Sequence, residues 1–300
     1  MNRQRGIGEK VFDTGNIIFL TLLAFVTIYP MLFILASSLS DYNFILRNEV
    51  YLWPKGFTFD GYRDVFSDGQ IFKAYFNTVW YAVVGTTINL LFTLTAAYAL
   101  SRKYYAYRGP VTFFIALTMF FSGGMVPNFL LVNWLGLYDT RWVMVIPGAV
   151  SVFNLIMARE FLSANIPDEL SEAAKVDGAN DIYFFFRIVL PLCKPIIAVL
   201  ALYYGVSHWN AFFNAMIYLR NPDYLPLALY LRRLLIIGSE TINTDSINEH
   251  SFVNDLAAIA GITQRIKYAS IIITMLPILF AYPFFQKYFA KGVMIGALKS

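Results

Sequence analysis

Residues 159–191 read REFLSANIPDELSEAAKVDGANDIYFFFRIVLP, a polar stretch with a long apolar stretch on either side. Its capping and breaking residues give it a definite local shape. Asn165 is placed to cap a helix, Pro167 suits a first helical turn, and Asp168 and Glu169 stand where the positive end of the helix dipole favours acids. Gly178 is placed to end that helix in a left-handed conformation. Asn180 or Asp181 then caps a second helix. The first helix spans only about 11 residues and is marginal alone in water, so it needs a surface to pack on. Ala173 and Ala174 let a partner backbone approach closely, and Glu172 and Asp177 offer charge to a basic partner. The same features also suit a plain surface hairpin between two membrane spans.

Outward from this segment, six stretches contain no Asp, Glu, Lys or Arg: roughly 14–40, 74–100, 111–138, 142–158, 195–219 and 268–286. A membrane-crossing helix needs about 20 apolar residues. The fourth stretch, bracketed by Arg141 and Arg159, is at the short limit. The third is interrupted by Ser122-Gly123-Gly124 and Pro127 and is expected to bend or unwind there. Hydrophobic residues make up 58% of the 300-residue chain and charged residues 14%, against about 25% charged in soluble domains. Mean hydropathy is +0.57. A soluble globule and a disordered chain are both excluded. The first stretch is too long for a cleavable signal peptide and no A-x-A site follows it. The expected fold is one all-α integral membrane domain over 1–300, with six transmembrane helices.

Six spans put both termini on one side. With the termini inside, the inner segments hold thirteen of the 23 Lys and Arg residues, and five of the others lie in the long segment 220–267. Basic residues favour the cytoplasmic side and long loops weigh little in that rule, so both ends are expected to be cytoplasmic. The segment 159–195 is then a cytoplasmic loop. The outer segments are 41–73 and 220–267, the latter carrying Pro222, Pro226, Arg232, Arg233 and a polar run from Glu240 to His250. A solvated linker and a contact surface for an extracellular partner both fit it.

Uncharged spans restrict mechanism. Ion-coupled transporters and voltage sensors place charged groups inside the membrane, and these spans have none. There is no G-x-x-x-x-G-K-[ST] phosphate loop, no H-E-x-x-H and no G-x-S-x-G. Any ATP chemistry therefore belongs to a partner. Ser207 beside His208 is the nearest thing to a nucleophile with a base, but adjacent helical residues do not face each other. Cys193 is alone, so disulfides are out, and His208 and His250 are too far apart in sequence to suggest a metal cluster. A net charge of +4 fits basic cytoplasmic ends and is no nucleic-acid signature.

Spacing sharpens the reading of the loop. Glu172-Ala173-Ala174, three residues, Gly178, nine residues, Ile188, one residue and Leu190-Pro191 resembles the E-A-A-x3-G-x9-I-x-L-P signature of permease subunits of bacterial ATP-binding-cassette importers. The resemblance extends along nearly the whole chain. It is closest in kind to the smaller permease of oligosaccharide importers, such as the maltose-importer G-type subunit. Phe121-Ser-Gly-Gly-Met-Val-Pro-Asn128, His208-Trp-Asn-Ala-Phe-Phe-Asn-Ala-Met-Ile217 and Tyr288-Phe-Ala-Lys-Gly-Val-Met-Ile-Gly296 resemble polysaccharide-type members. The resemblance implies a type I importer permease fold in a bacterial plasma membrane. The loop helix would be a coupling helix, with Glu172, Ala173, Ala174, Asp177 and Gly178 docking on an ATPase. The implied partners are a second homologous permease, an ATPase dimer that binds ATP and Mg, an extracellular solute-binding protein and membrane lipid. The segment 220–267 corresponds in position to a loop that reaches into the binding protein. This chain itself would carry no cofactor and no catalytic residue.

For a sugar path, polar groups deep in the spans are the candidates: Asn128, His208, Trp209, Asn210 and Asn214. Asn210 and Asn214 are four apart and are expected to share a helix face. Asn77 and Asn89 lie in the second span. Any single Asn also fits an ordinary interhelical hydrogen bond. A uronate's charge would have to be met by loops or partners, since no span holds a cation. Amino-acid, peptide or anion cargo shares the same loop signature. A passive channel or scaffold does not explain it, and an intramembrane enzyme lacks its residues.

Overall fold

The structure, a computed structural model, describes residues 7–67, 69–121, 123–240, 263–280 and 283, and all regular structure among them is helical. In chain order the helices are α1 (Ile7–Ser38), α2 (Tyr42–Leu46), α3 (Asp60–Ser67), α4 (Gln70–Ser101), α5 (Arg108–Leu117), α6 (Met125–Trp134), α7 (Val152–Asn165) and α8 (Asp168–Val176). They continue with α9 (Asp181–Phe184), α10 (Leu190–Leu192), α11 (Lys194–Trp209), α12 (Phe212–Tyr218), α13 (Leu227–Glu240) and α14 (263–280).

Two of these are long and apolar enough to cross a membrane unbroken: Gly8–Ser38 and Gln70–Ser101. The side chains of α1 are exposed along most of its length, as lipid-facing residues are. The other expected spans are interrupted, each for a local reason. The third splits into α5 and α6, the latter starting after Gly124 at φ +86°. The fourth is a short 3-10 turn (Arg141–Met144), then irregular backbone through Pro147-Gly148, then α7, which runs past Arg159 to Asn165. The fifth breaks at Asn210-Ala211. The sixth begins at 263 and is described to 280. Asp181–Leu192 and α11 form a further apolar pair, bent by 82°. A π-helical turn, Phe185–Val189, lies just before Pro191. Proline has no N–H to donate and its ring crowds the carbonyl four residues back, which widens the preceding turn.

The chain divides into two compact units. In the unit made of residues 1–69 and 231–276, Arg265 pairs with Asp60 at 3.5 Å and Tyr268 meets Phe33 edge-on at 5.9 Å. In the unit made of residues 70–230 and 277–300, α4 is the hub, packed against α7 and α11. One core joins Leu94, Ala97 and Tyr98 of α4 to Leu155, Ala158 and Leu162 of α7 and to Ile196, Leu200 and Tyr204 of α11. A second gathers Tyr81, Val132, Val143, Ala215, Tyr218 and Leu225.

Irregular backbone buried in the protein needs its polar groups satisfied there, and α4 supplies partners. Asn77 Nδ2 donates to the carbonyls of Asp223 (2.8 Å) and Leu225 (3.1 Å), Tyr81 donates to Tyr224 O (2.7 Å), and Thr78 accepts from Leu227 N (2.7 Å). Asn89 Nδ2 donates to Gly148 O (2.8 Å) and Ala149 O (2.9 Å).

Candidate functional site

Helix α8 buries one side against the protein and exposes the other. Ser171 and Ala174 face inward and are buried. Glu172, Ala173, Asp177 and Gly178 are exposed, and Val176 is 89% exposed. Pro167 occupies the cap position and Asp168 and Glu169 fill the acidic first turn. Asn165 is not the cap. It ends α7 and donates to Phe161 O at 2.8 Å, because Pro167 forces Ile166 out of the helical region (φ −118°, ψ 89°) and separates the two helices.

The far end of α8 is a two-bond glycine stop. Gly178 has φ +80°. Its N–H donates to Lys175 O (3.0 Å) and the next N–H, of Ala179, reaches back to Ala174 O (2.9 Å). Paired bonds of this kind close the helix and need a left-handed residue between them. Asn180, not Asp181, caps the next helix through Tyr183 N (2.8 Å). Of the five residues read as a docking set, four share the exposed side. Ala174 does not: it is 7% exposed and belongs to the core with Phe184 and Val189. Val176 was not singled out from sequence, although an apolar residue beside Asp177 and Gly178 is a visible signal.

In the same unit, Asn128, His208 and Asn214 line one cavity of about 560 Å3. Asn89, Asn154, Tyr203 and Ser207 line it with them. His208 Nε2 lies 2.7 Å from Asn89 Oδ1, so the imidazole is tied to the amide that also holds Gly148 and Ala149. Tyr204 OH is 2.7 Å from Thr93 Oγ1 and accepts from Ser151 N at 3.1 Å, bracing α11 against α4 and the start of α7. Such a volume lies within the ordinary range for small-molecule sites, about 300–1,000 Å3. Its polar groups are amides, hydroxyls and one imidazole, which suit hydroxyl-rich ligands.

Trp209 and Asn210 are elsewhere. Trp209 is buried, edge-on to Tyr75 at 6.0 Å, and faces a separate apolar cavity. Asn210 terminates α11, and α12 starts afresh at Phe212, so the four-residue spacing to Asn214 does not put the two on one face. Tyr203 and Ser207 were missed, although they too are four apart on an unbroken helix. Asn89 joins α4 to α11 through His208, as a lone span Asn suggests, whereas Asn77 holds the backbone at Asp223 and Leu225 instead. Residues 241–262, which include the polar run to His250, and 288–296 lie outside the described residues.

Residues 71–295 match the family model for the binding-protein-dependent transport system inner membrane component. Protein LplC of Bacillus subtilis (strain 168) is 39% identical, covering 97% of this chain and 95% of its own length. The polygalacturonan/rhamnogalacturonan transport system permease protein YtcP of the same organism is 36% identical, covering 97% of this chain and 99% of its own. A solved chain of a bacterial ABC transporter involved in the import of the acidic polysaccharide alginate superposes with a TM-score of 0.84 at 32% identity, covering 96% of this chain and 100% of that one. The span 71–295 of the family match includes the residues of α8, of the glycine-ended turn and of the cavity around His208. These matches make the chain a multi-pass membrane permease, not an enzyme in itself, and a member of the binding-protein-dependent transport system inner membrane components.

Proposed function

We propose that this chain is one of two permease subunits of an ATP-driven importer, and that its cargo is an oligosaccharide derived from an acidic polysaccharide. The chain would cross the plasma membrane six times with both termini cytoplasmic. Helix α8 docks on an ATPase dimer, which binds ATP and Mg, and a solute-binding protein delivers the cargo from the opposite face. The observation that carries this reading is α8 itself: a short helix with a sharply closed end, projecting Glu172, Ala173, Val176 and Asp177 into solvent.

The cargo class rests on two supports. Relatives are named for polygalacturonan/rhamnogalacturonan and arabinooligosaccharide transport, and the superposable structure for alginate import. The polar cavity around His208 also suits sugar hydroxyls better than an amino-acid zwitterion, which wants both a cation and an anion. A second cavity, of about 620 Å3, is lined by Lys73, Arg141, Asp223, Phe72, Phe76 and Tyr224. It lies toward the opposite end of α4 from α8; Lys73 and Arg102 are about 44 Å apart along that helix. Lys73 is already paired with Asp223 at 2.8 Å, which leaves Arg141 beside three aromatic rings as the group suited to a uronate, whose charge no span residue meets.

The test is uptake by the reconstituted importer of oligogalacturonate against a neutral arabino-oligosaccharide. Selective, ATP-dependent uptake of the acidic probe is expected. Uptake of amino acids or peptides instead would transfer the chain to another cargo class, and ATP-independent flux would favour a channel.

A further inference from the structure

Among the described residues Arg102 is the largest fully buried side chain, 1% exposed, at the point where α4 gives way to the turn before α5. A buried guanidinium is tolerated only where it is paired and hydrogen-bonded. Its partners run toward α8. Nη2 donates to Ile166 O at 3.2 Å, the carbonyl just before Pro167; Nη1 makes no hydrogen bond and approaches Asp168 Oδ1, in the first turn of α8, as an ion pair at 3.6 Å. Nε donates to Ser101 Oγ at 3.1 Å, and the guanidinium stacks 5.2 Å from the Tyr98 ring. Lys103 adds a second contact to Asp168, at 3.2 Å. One side chain at the end of α4 thus reaches both sides of the joint at which α8 leaves α7.

We propose that Arg102, through Asp168 and Ile166 O, is the positioning residue that carries the displacement of α8 into α4, and so to the cavity that α4 lines with Asn89. This rests on the reading of α8 as the ATPase-docking helix. The covalent path from α8 into α7 passes through the Ile166-Pro167 joint, which has no helical hydrogen bonding across it, so α8 can pivot there. The Arg102 grip removes that freedom. Without it, α8 moves with the ATPase and α4 stays behind.

The experiment uses the whole importer with its partner permease and ATPase, and ATP, Mg and vanadate as the probe, so no cargo is needed. Asn214→Cys in the cavity is labelled with a maleimide before and after vanadate trapping; the native Cys193 is buried. The expected result is a nucleotide-dependent change in labelling rate in the otherwise unaltered importer. In Arg102→Gln and in Asp168→Asn that change shrinks about tenfold, within the usual range for coupling between sites, while ATPase subunits stay bound at full stoichiometry and still trap nucleotide. The double variant is expected to be no worse than Arg102→Gln alone. Lys103→Gln, whose contact is exposed, keeps most of the change. If Arg102→Gln does not assemble, Asp168→Asn decides, since Asp168 is 30% exposed and outside the core. A full labelling change in Asp168→Asn, or variants that are merely less heat-stable with the change intact, overturns the proposal. If the unaltered importer binds no ATPase, the docking reading falls first and this proposal with it.

Discussion

Gly85 and His208 meet with no room for a side chain between them: a Cβ on Gly85 would stand 2.4 Å from His208 Nε2. The missing side chain lets α11 bring His208 onto Asn89, and Asn89 in turn holds the irregular backbone at Gly148 and Ala149. Gly85→Ala is therefore expected to push the imidazole off Asn89. Overpacking of this kind costs about 1–3 kcal/mol, to be seen as a lower melting temperature of the detergent-solubilised importer. An unchanged melting temperature would mean that the ring moves aside freely.

Asn89→Ala removes the group that serves two backbone carbonyls and one imidazole. Each buried polar group left unsatisfied costs about 1–3 kcal/mol. Loss of heat stability is expected to exceed that of Ser207→Ala, whose side chain lines the same cavity but is exposed to it. Equal effects would remove Asn89 from its bracing role.

Gly178→Ala keeps α8 but places a Cβ at φ +80°, a strain of about 1–2 kcal/mol. Gly178→Pro is more severe, since proline cannot reach that φ and loses the N–H given to Lys175 O. Both chains are expected to insert normally. Transport and stimulated ATPase activity fall partly in the alanine variant and vanish in the proline variant. Stimulated ATPase at the unaltered level in Gly178→Pro would refute the coupling role.

Val176 projects into solvent, so Val176→Asp disturbs no packing within the chain. It is expected to weaken ATPase association by at least about 1 kcal/mol, the threshold for a contributing interface residue. Glu172→Ala is expected to lower affinity by about 2–5 kcal/mol if it leaves a buried partner charge unpaired. Pull-down of the ATPase by the two variants, with membrane levels matched, checks both.

The loop was the most legible part of the chain because its signals are local. A proline, two first-turn acids and a glycine determine α8 and its end with little help from tertiary packing. The cap at Asn165 failed because the preceding helix, read as a membrane span ending near Arg159, continues six residues further. The spans were legible as apolar composition but not as continuous helices. The break between α5 and α6 was marked by Ser122-Gly123-Gly124 and Pro127. That residues 145–151 are irregular was not read from the sequence; their backbone is held by Asn89, 59 positions away from Gly148. The cavity was half legible. Asn128, His208 and Asn214 were found as polar residues in apolar surroundings, whereas Asn210 was drawn in by helical spacing across a break that only the folded chain reveals.

The most direct measurement places a photoactivatable cross-linking residue at Val176 in the native membrane and identifies what it captures. The account predicts an adduct with a separate subunit that carries a phosphate-binding G-x-x-x-x-G-K-[ST] loop, lost when Gly178→Pro is added. Capture of lipid alone, or of no ATP-binding subunit, would contradict the claim that α8 is where ATP hydrolysis reaches this permease.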